Sequence, residues 1–284
     1  MTDRPFPPPW AVEKVLGGGF VVRDATGQSL AYVISKDNPS DARTAKMLTE
    51  KEAEWVASNI AKLPDLLGIA EAVPIAELWT SADPDVWQQA LTRYWSYVRP
   101  ENLDLERSLE SLDLERLRRM DSRSWYEFLR GEYFVWKYTA ANRYASTTRQ
   151  LERYIADNAL DELDAIRTKL LALDTDDIRS GLATADEIRG LGIAGASGLL
   201  SLMYPEKFAT VDQFVVKALN QVDGLPEAES IAEMEKHAEN LSIRDGLLLI
   251  EILRRKAADN NRLFNSTNWT PRKVDMVLWT YGRD

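Results

Sequence analysis

The sequence predicts a mainly α-helical protein in two parts, a small α+β module over residues 1–70 and an all-α domain over residues 71–284. Segments with strand composition are confined to the first 35 residues, whereas helical periodicity is nearly continuous from Asp83 onward. Hydrophobic residues make up 45% of the 284 positions, which is enough to build a sizeable core. We therefore expect a helical protein with one small sheet.

The N-terminal module is predicted to contain a three-stranded meander and one helix. Thr49-x-x-Glu52 is a capping-box pattern and marks the start of that helix. The stretch from about Pro8 to Gly68 resembles small stand-alone bacterial proteins of unassigned function, so we expect an attached module that offers a surface for a protein partner. Three short segments rich in β-branched or aromatic residues, separated by glycine-containing turns, supply the strands: 12–16, 20–23 and 30–35.

The helices of the second part are marked by capping signals. Asp83-Pro84 places proline at a first helical position. Ser124-x-x-Glu127 and Thr184-x-x-Glu187 are capping-box patterns that predict two further helix starts. These signals, together with apolar residues at helical spacing, predict an all-α domain.

A basic segment stands out in an otherwise acidic chain of net charge −10. From Arg116 to Arg153 there are nine basic and four acidic residues. Its mixture of basic, amide and aromatic groups suits contact with phosphate and stacking on an unpaired base. A solvated helix face would have the same composition, and both interpretations stay open. The candidate DNA-contacting residues here are Lys137, Asn142, Arg143 and Tyr144.

The stretch from Ile188 to Leu219 predicts two helices joined by a hairpin and a third helix after a turn, a helix-hairpin-helix. Gly190-Leu191-Gly192 forms the hairpin, because glycine admits positive φ and lets other groups approach the backbone. The free N–H groups that follow, at Ile193, Ala194 and Gly195, together with the helix dipole, favour an anion such as phosphate.

These residues resemble the helix-hairpin-helix DNA glycosylases of base excision repair. The motif of that family is Gly-hydrophobic-Gly, then Val-Asp about twenty residues on, then a basic residue five positions later, which here are Gly190 to Gly192, Val211-Asp212 and Lys217. The resemblance implies DNA as the partner and Asp212 as the catalytic carboxylate. Bifunctional members carry a Schiff-base lysine where this chain has Ala194, so the resemblance implies monofunctional hydrolysis of the N-glycosidic bond.

Two other interpretations of the motif remain. The glycines also suit a simple helix end, and Thr210-x-x-Gln213 is a capping-box pattern that would leave Asp212 as a residue favoured by the helix dipole. The alternative function is therefore a non-catalytic helix-hairpin-helix module that binds DNA or protein.

Composition limits the cofactor and the compartment. The chain has no cysteine, which excludes an iron–sulfur cluster held by thiolates, and its one histidine, His237, lies among polar residues. We expect no cofactor and no metal. The first ten residues lack the apolar core of a signal peptide, and no run of about 18 apolar residues occurs. A cytoplasmic protein without membrane contact is expected.

Overall fold

The computed structural model describes residues 6, 9–15, 18–36, 38–66 and 73–283. The chain divides into two compact units. The first unit comprises Met1–Val73 together with Gln88–Ser96, and the second comprises Pro74–Trp87 together with Tyr97–Asp284. The predicted module boundary near residue 70 stays a prediction.

In the described part of the chain, the first unit contains a sheet in the order β1-β2-β3-β4. The first three strands are antiparallel neighbours, with a bulge between Val22 and Arg23, and β4 runs parallel to β3. The sequence did not predict β4, because a two-residue strand has no periodicity to detect. The strands are β1 (Ala11–Lys14), β2 (Gly19–Arg23), β3 (Ser29–Lys36) and β4 (Leu48–Thr49).

One face of this sheet packs against a helix. Phe20 and Val22, which alternate along β2, form a core with Val33 of β3 and with Ala53 and Ala57 of the helix. That helix begins at the predicted capping box, in which the Thr49 and Glu52 side chains each bond the backbone of the other residue. The helices of the first 73 residues are α1 (Pro39–Ala45), α2 (Glu50–Ala61) and α3 (Leu63–Leu66).

The second unit is entirely helical over its described residues, so a mainly helical protein with one small sheet is confirmed. Helix α5 is shared, because its central residues belong to the first unit and its ends to the second. The helices are α4 (Ile75–Thr80), α5 (Pro84–Tyr97), α6 (Leu103–Glu110), α7 (Leu114–Arg118), α8 (Ser122–Phe128), α9 (Phe134–Lys137), α10 (Ala141–Ala156), α11 (Leu160–Leu171), α12 (Ile178–Asp186), α13 (Gly192–Met203), α14 (Gln213–Leu219), α15 (Ala228–Glu235), α16 (Ile243–Leu263) and α17 (Pro271–Arg283).

Helix α13 lies at the centre of this unit and is buried along almost its whole length. Small residues let neighbouring helices approach it closely. A Cβ at Gly246 of α16 would lie 2.8 Å from the Ile193 side chain. Helices α14 and α17 are closer still, because a Cβ at Gly282 would lie 1.8 Å from the carbonyl oxygen of Phe214. The close packing at these two contacts therefore depends on glycine.

Two predicted helix starts, at Ser124 and Thr184, were wrong, and so was the alternative cap at Thr210. Asp121, rather than Ser124, caps α8, and Asp177, rather than Thr184, precedes α12 and accepts from its backbone. Asp212, rather than Thr210, caps α14. At all three positions an aspartate accepts the backbone N–H, and a short carboxylate is as good a cap as a hydroxyl.

The sequence also predicts a linker between the two parts, over Leu67 to Ala82. Residues 67–72 of this linker lie outside the described residues. Its remainder contains α4. Over the described chain, every helix is too short or too polar to cross a bilayer.

Candidate functional site

The segment between α12 and α13 turns at two glycines, of which one is closely packed and the other faces open space. Gly190 has φ +98°, and a Cβ there would lie 2.6 Å from the carbonyl oxygen of Thr147 in α10. Gly192 has φ +62° and is exposed, with open space where a Cβ would be. Residues 190–192, called the glycine turn below, are therefore held against α10 at one end and open at the other.

Two tyrosine hydroxyls donate to backbone carbonyl oxygens of the glycine turn and of the first turn of α13. The Tyr138 hydroxyl donates to the carbonyl oxygens of Gly190 (3.0 Å) and Leu191 (2.9 Å). The buried Tyr133 hydroxyl donates to the carbonyl oxygen of Gly195. Burial raises the pKa of Tyr138 well above its ordinary value, so its hydroxyl stays protonated and donates. The carbonyl groups of this region therefore have partners, whereas the first-turn N–H groups of α13 have no partner within the helix.

Asp212 lies at the start of α14 and uses both of its carboxylate oxygens. Oδ1 accepts from the backbone N–H of Phe214 at 3.0 Å and caps the helix. Oδ2 accepts from Lys137 Nζ at 3.2 Å. The side chains of Lys137 and Asp212 are only 10% and 15% exposed. The pair is therefore largely desolvated, where an ionic contact is stronger than at an open surface.

Lys137 reaches Asp212 across the small-residue face of α13. A π-helical segment, Leu129–Tyr133, precedes α9. Its hydrogen bonds span one residue more than those of an α-helix, which rotates the side chains that follow around the helix axis. A Cβ at Gly198 would lie 3.4 Å from Lys137 Cδ, and a Cβ at Gly195 would lie 2.5 Å from the Tyr138 hydroxyl oxygen. The glycines of α13 thus admit Lys137 and Tyr138 side by side.

A buried ionic cluster lies directly behind this pair. Arg272 Nη1 contacts Asp275 at 2.6 Å and donates to the Thr210 hydroxyl at 3.3 Å, while Arg272 Nε donates to Glu110 at 2.9 Å. Asp275 also accepts from the backbone N–H of Thr210 at 2.6 Å, two residues before Asp212. Glu106 lies 3.7 Å from the same guanidinium. The cluster therefore anchors the loop that presents Asp212.

Asp275 titrates unusually because it is fully enclosed. Burial raises its pKa from 3.8 to about 7, against the lowering effect of Arg272 and of the Thr210 N–H. The negative charges of Glu110 and Asp212 raise it further. Burial is therefore the main cause of the raised pKa, and one guanidinium shared by three carboxylates offsets it only in part.

The predicted site residues fall into two groups. Lys137 and Asp212 come together beside α13, the helix that follows the glycine turn and carries Ile193, Ala194 and Gly195. The others are apart from this pair. Lys217 is exposed on α14, Asn142 accepts from the N–H of Arg143, Arg143 lies 3.6 Å from Glu239, and Tyr144 is half-buried.

Sequence reasoning missed the supporting roles of four residues, Tyr133, Tyr138, Arg272 and Asp275. Tyr138 stands directly after Lys137 in the basic segment, and this adjacency was the available signal. Asp275 and Arg272 lie 65 and 62 residues from their shared partner Thr210, so no local pattern joins them.

The basic segment is less open than its composition predicts. Seven of its nine cationic residues contact a carboxylate, and only Arg149 and Arg153 have no ion pair within the described chain. Each such pair neutralises part of the field that would attract phosphate. Among the described residues, no cluster of three or more acidic or histidine side chains is arranged to hold a metal ion.

Comparisons of this chain with protein-family models, with curated proteins and with solved structures gave no significant match. What the site does must therefore be argued from its own chemistry.

Proposed function

We propose that this chain is a DNA-binding helix-hairpin-helix protein that removes a modified base by hydrolysing its N-glycosidic bond. The observation that carries the proposal is the Asp212–Lys137 pair, a largely buried carboxylate and amine held beside the helix that follows the glycine turn. An enclosed carboxylate next to a backbone anion site suits a substrate that combines a phosphate with a reacting sugar.

The phosphate would bind at the start of α13. Gly192 is exposed and has no neighbour on its Cβ side, so a backbone can approach closely there. The Tyr138 hydroxyl engages the carbonyl oxygens of Gly190 and Leu191, and the first-turn N–H groups of α13 are then the polar groups for a ligand. Exposed Lys217 supplies an additional positive charge.

Asp212 would act on the sugar. As the bond to the base breaks, positive charge grows at C1′, and a fixed carboxylate opposes that charge without having to reorganise. The Phe214 N–H and Lys137 Nζ hold its two oxygens in place. The target base would have to leave the DNA stack to bring its sugar here.

The test is a panel of DNA duplexes, each with one modified base, assayed for base release by the full-length protein. Asp212→Asn should lower release by about 100-fold or more, because the neutral amide removes the charge that opposes the sugar cation. DNA binding should be largely retained, since asparagine is as good a helix cap as aspartate. Unchanged turnover by the Asn variant would leave Asp212 with a capping role only.

A non-catalytic DNA- or protein-binding module is the second candidate. Two observations favour it: both oxygens of Asp212 already have partners, and most cations of the basic segment are paired with carboxylates. In that case the protein would bind DNA, or a protein, without releasing a base from any duplex of the panel.

A further inference from the structure

The outward side of α10 carries the two arginines of the basic segment that have no carboxylate partner within the described chain, Arg149 and Arg153. Both are exposed and four residues apart, so they lie on one helix face. Asn142 and Ser146 precede them at helical spacing and lie on the same face. These four residues, Asn142, Ser146, Arg149 and Arg153, are called the outer face below.

We infer that the outer face binds phosphates of the DNA backbone beside the glycine turn. The duplex would lie on this surface as well as on the turn, and the inference rests on the proposed function for its partner. From Asn142 to Arg153 the helix rises about 16 Å, which is long enough to follow several nucleotides of one strand.

The two arginines take no part in the packing of α10. The helix buries Thr147, Leu151 and Tyr154 on the side opposite the outer face. Arg149 and Arg153 project into solvent instead, where each guanidinium can offer all of its N–H donors to a ligand.

The outer face has no carboxylate of its own. The one acidic residue of α10 is Glu152, which immediately precedes Arg153 and therefore lies about 100° around the helix from it. Its carboxylate accepts from Arg130 at 2.9 Å. The chain has a net charge of −10, which repels a polyanion over most of the surface. DNA would therefore be directed to a face with two unpaired guanidinium groups.

The outer face adjoins the glycine turn through Gln150. A Cβ at Gly190 would lie 3.4 Å from Gln150 Cβ and 2.6 Å from the Thr147 carbonyl oxygen. Gln150 is exposed and is the neighbour of Arg149 along the chain. A DNA strand with one phosphate at the start of α13 would therefore bring further phosphates within reach of the arginines.

The composition of the outer face favours a phosphate backbone over a protein surface. Protein interfaces depend on a few large aromatic or apolar side chains that become fully buried. The outer face offers only an amide, a hydroxyl and two guanidinium groups. Arginine, asparagine and serine side chains all bond phosphate oxygens in protein–DNA complexes, and arginine does so with two parallel N–H groups.

The experiment measures binding of the full-length protein to an unmodified DNA duplex by fluorescence anisotropy, from about 50 to about 200 mM salt. The logarithm of the association constant falls linearly with the logarithm of the salt concentration, and each phosphate contact contributes about 0.9 to the slope. Arg149→Gln and Arg153→Gln should each reduce the slope by about 1, and the double variant by about 2. Lysine at both positions should retain the wild-type slope, because it keeps the charge.

Arg123→Gln is the matched control. It removes one exposed arginine of the same basic segment, but Arg123 is already paired with Glu127 at 2.8 Å, so the slope should equal that of wild type. DNA binding with a wild-type slope in the double glutamine variant would overturn this inference and leave the proposed function standing. A reduced slope in the double lysine variant would overturn it as well, because the loss would not then depend on charge.

Two outcomes with the wild-type protein also decide against the inference. If it binds no duplex DNA, both this inference and the proposed function are wrong. If it binds an RNA duplex of the same sequence more tightly than the DNA duplex, the outer face belongs to RNA.

Discussion

Asp275 lies inside the all-helical unit and shares Arg272 with two glutamates, so its protonation is tied to folding. Its pKa is about 7 in the folded protein against 3.8 ordinarily, because burial disfavours the charged form. Between these two values the folded protein holds a proton that the unfolded chain has lost. The contribution of this group to the free energy of unfolding therefore falls as the pH rises from about 4 to about 7.

The prediction is that the free energy of unfolding of wild type, relative to Asp275→Asn, declines between about pH 4 and about pH 7 and then levels off. Asparagine does not titrate, so it removes this component while keeping the side-chain size. Urea unfolding at several pH values measures the difference. Asp223→Asn, at an exposed position, is the control and should show no such trend relative to wild type. A difference that rises with pH would contradict the assigned direction.

The Lys137–Asp212 contact could be predicted only in part from the sequence. The sequence identified both residues, Asp212 through the motif and Lys137 through the basic segment, but only the fold shows that they touch. Seventy-five residues separate them, and their contact depends on a π-helical segment and on Gly198, neither of which a local pattern assigns to this purpose.

At the scale of elements, helix existence could be predicted better than helix ends. The capping box at Thr49 is confirmed, whereas the patterns at Ser124, Thr184 and Thr210 were wrong. Ser, Thr and Asp are near-equivalent caps, so a sequence with several of them within seven residues does not decide which one is used. The packing of the helix against the rest of the fold decides which residue caps it, and packing depends on residues far away in the sequence.

The two glycines of the glycine turn should differ in how much an alanine substitution lowers the free energy of unfolding. Gly190→Ala should cost about 3 kcal/mol or more, because the methyl group would lie 2.6 Å from the Thr147 carbonyl oxygen at φ +98°. Gly192→Ala should cost about 1 kcal/mol, because it has the left-handed backbone strain at φ +62° but no collision. Urea unfolding of the two variants provides the comparison, and equal costs would show that the contact with α10 is not rigid.

At the scale of the whole molecule, the first unit does not end where its sequence pattern ends. It includes Gln88–Ser96 of α5, which are separated from the rest of the unit by α4. Ala90, Leu91 and Tyr94 in this segment are each less than 10% exposed. Sequence analysis assigned the whole of α5 to the helical domain, because amphipathic spacing shows that a helix has a buried face but not which unit buries it.

The sheet indicates why the first unit needs this segment. Alternation along β2 puts Phe20 and Val22 on the face that packs against α2, and it puts Val21 on the opposite face. Val21 is nevertheless fully buried. Since Gln88–Ser96 is the one part of the unit from outside the first 73 residues, we expect it to cover Val21.

A fragment of residues 1–97 should therefore fold more stably than a fragment of residues 1–73. Burying side chains of the size of Leu91 and Tyr94 contributes about 1.5–3 kcal/mol each, which is large beside the stability of so small a unit. Circular dichroism melts of the two fragments should show a cooperative transition at higher temperature for 1–97. Leu91→Asp in the longer fragment should remove most of that gain, because it places a charge in the buried contact. Identical melts for both fragments would mean that the first 73 residues are complete in themselves and that Val21 is covered from within them.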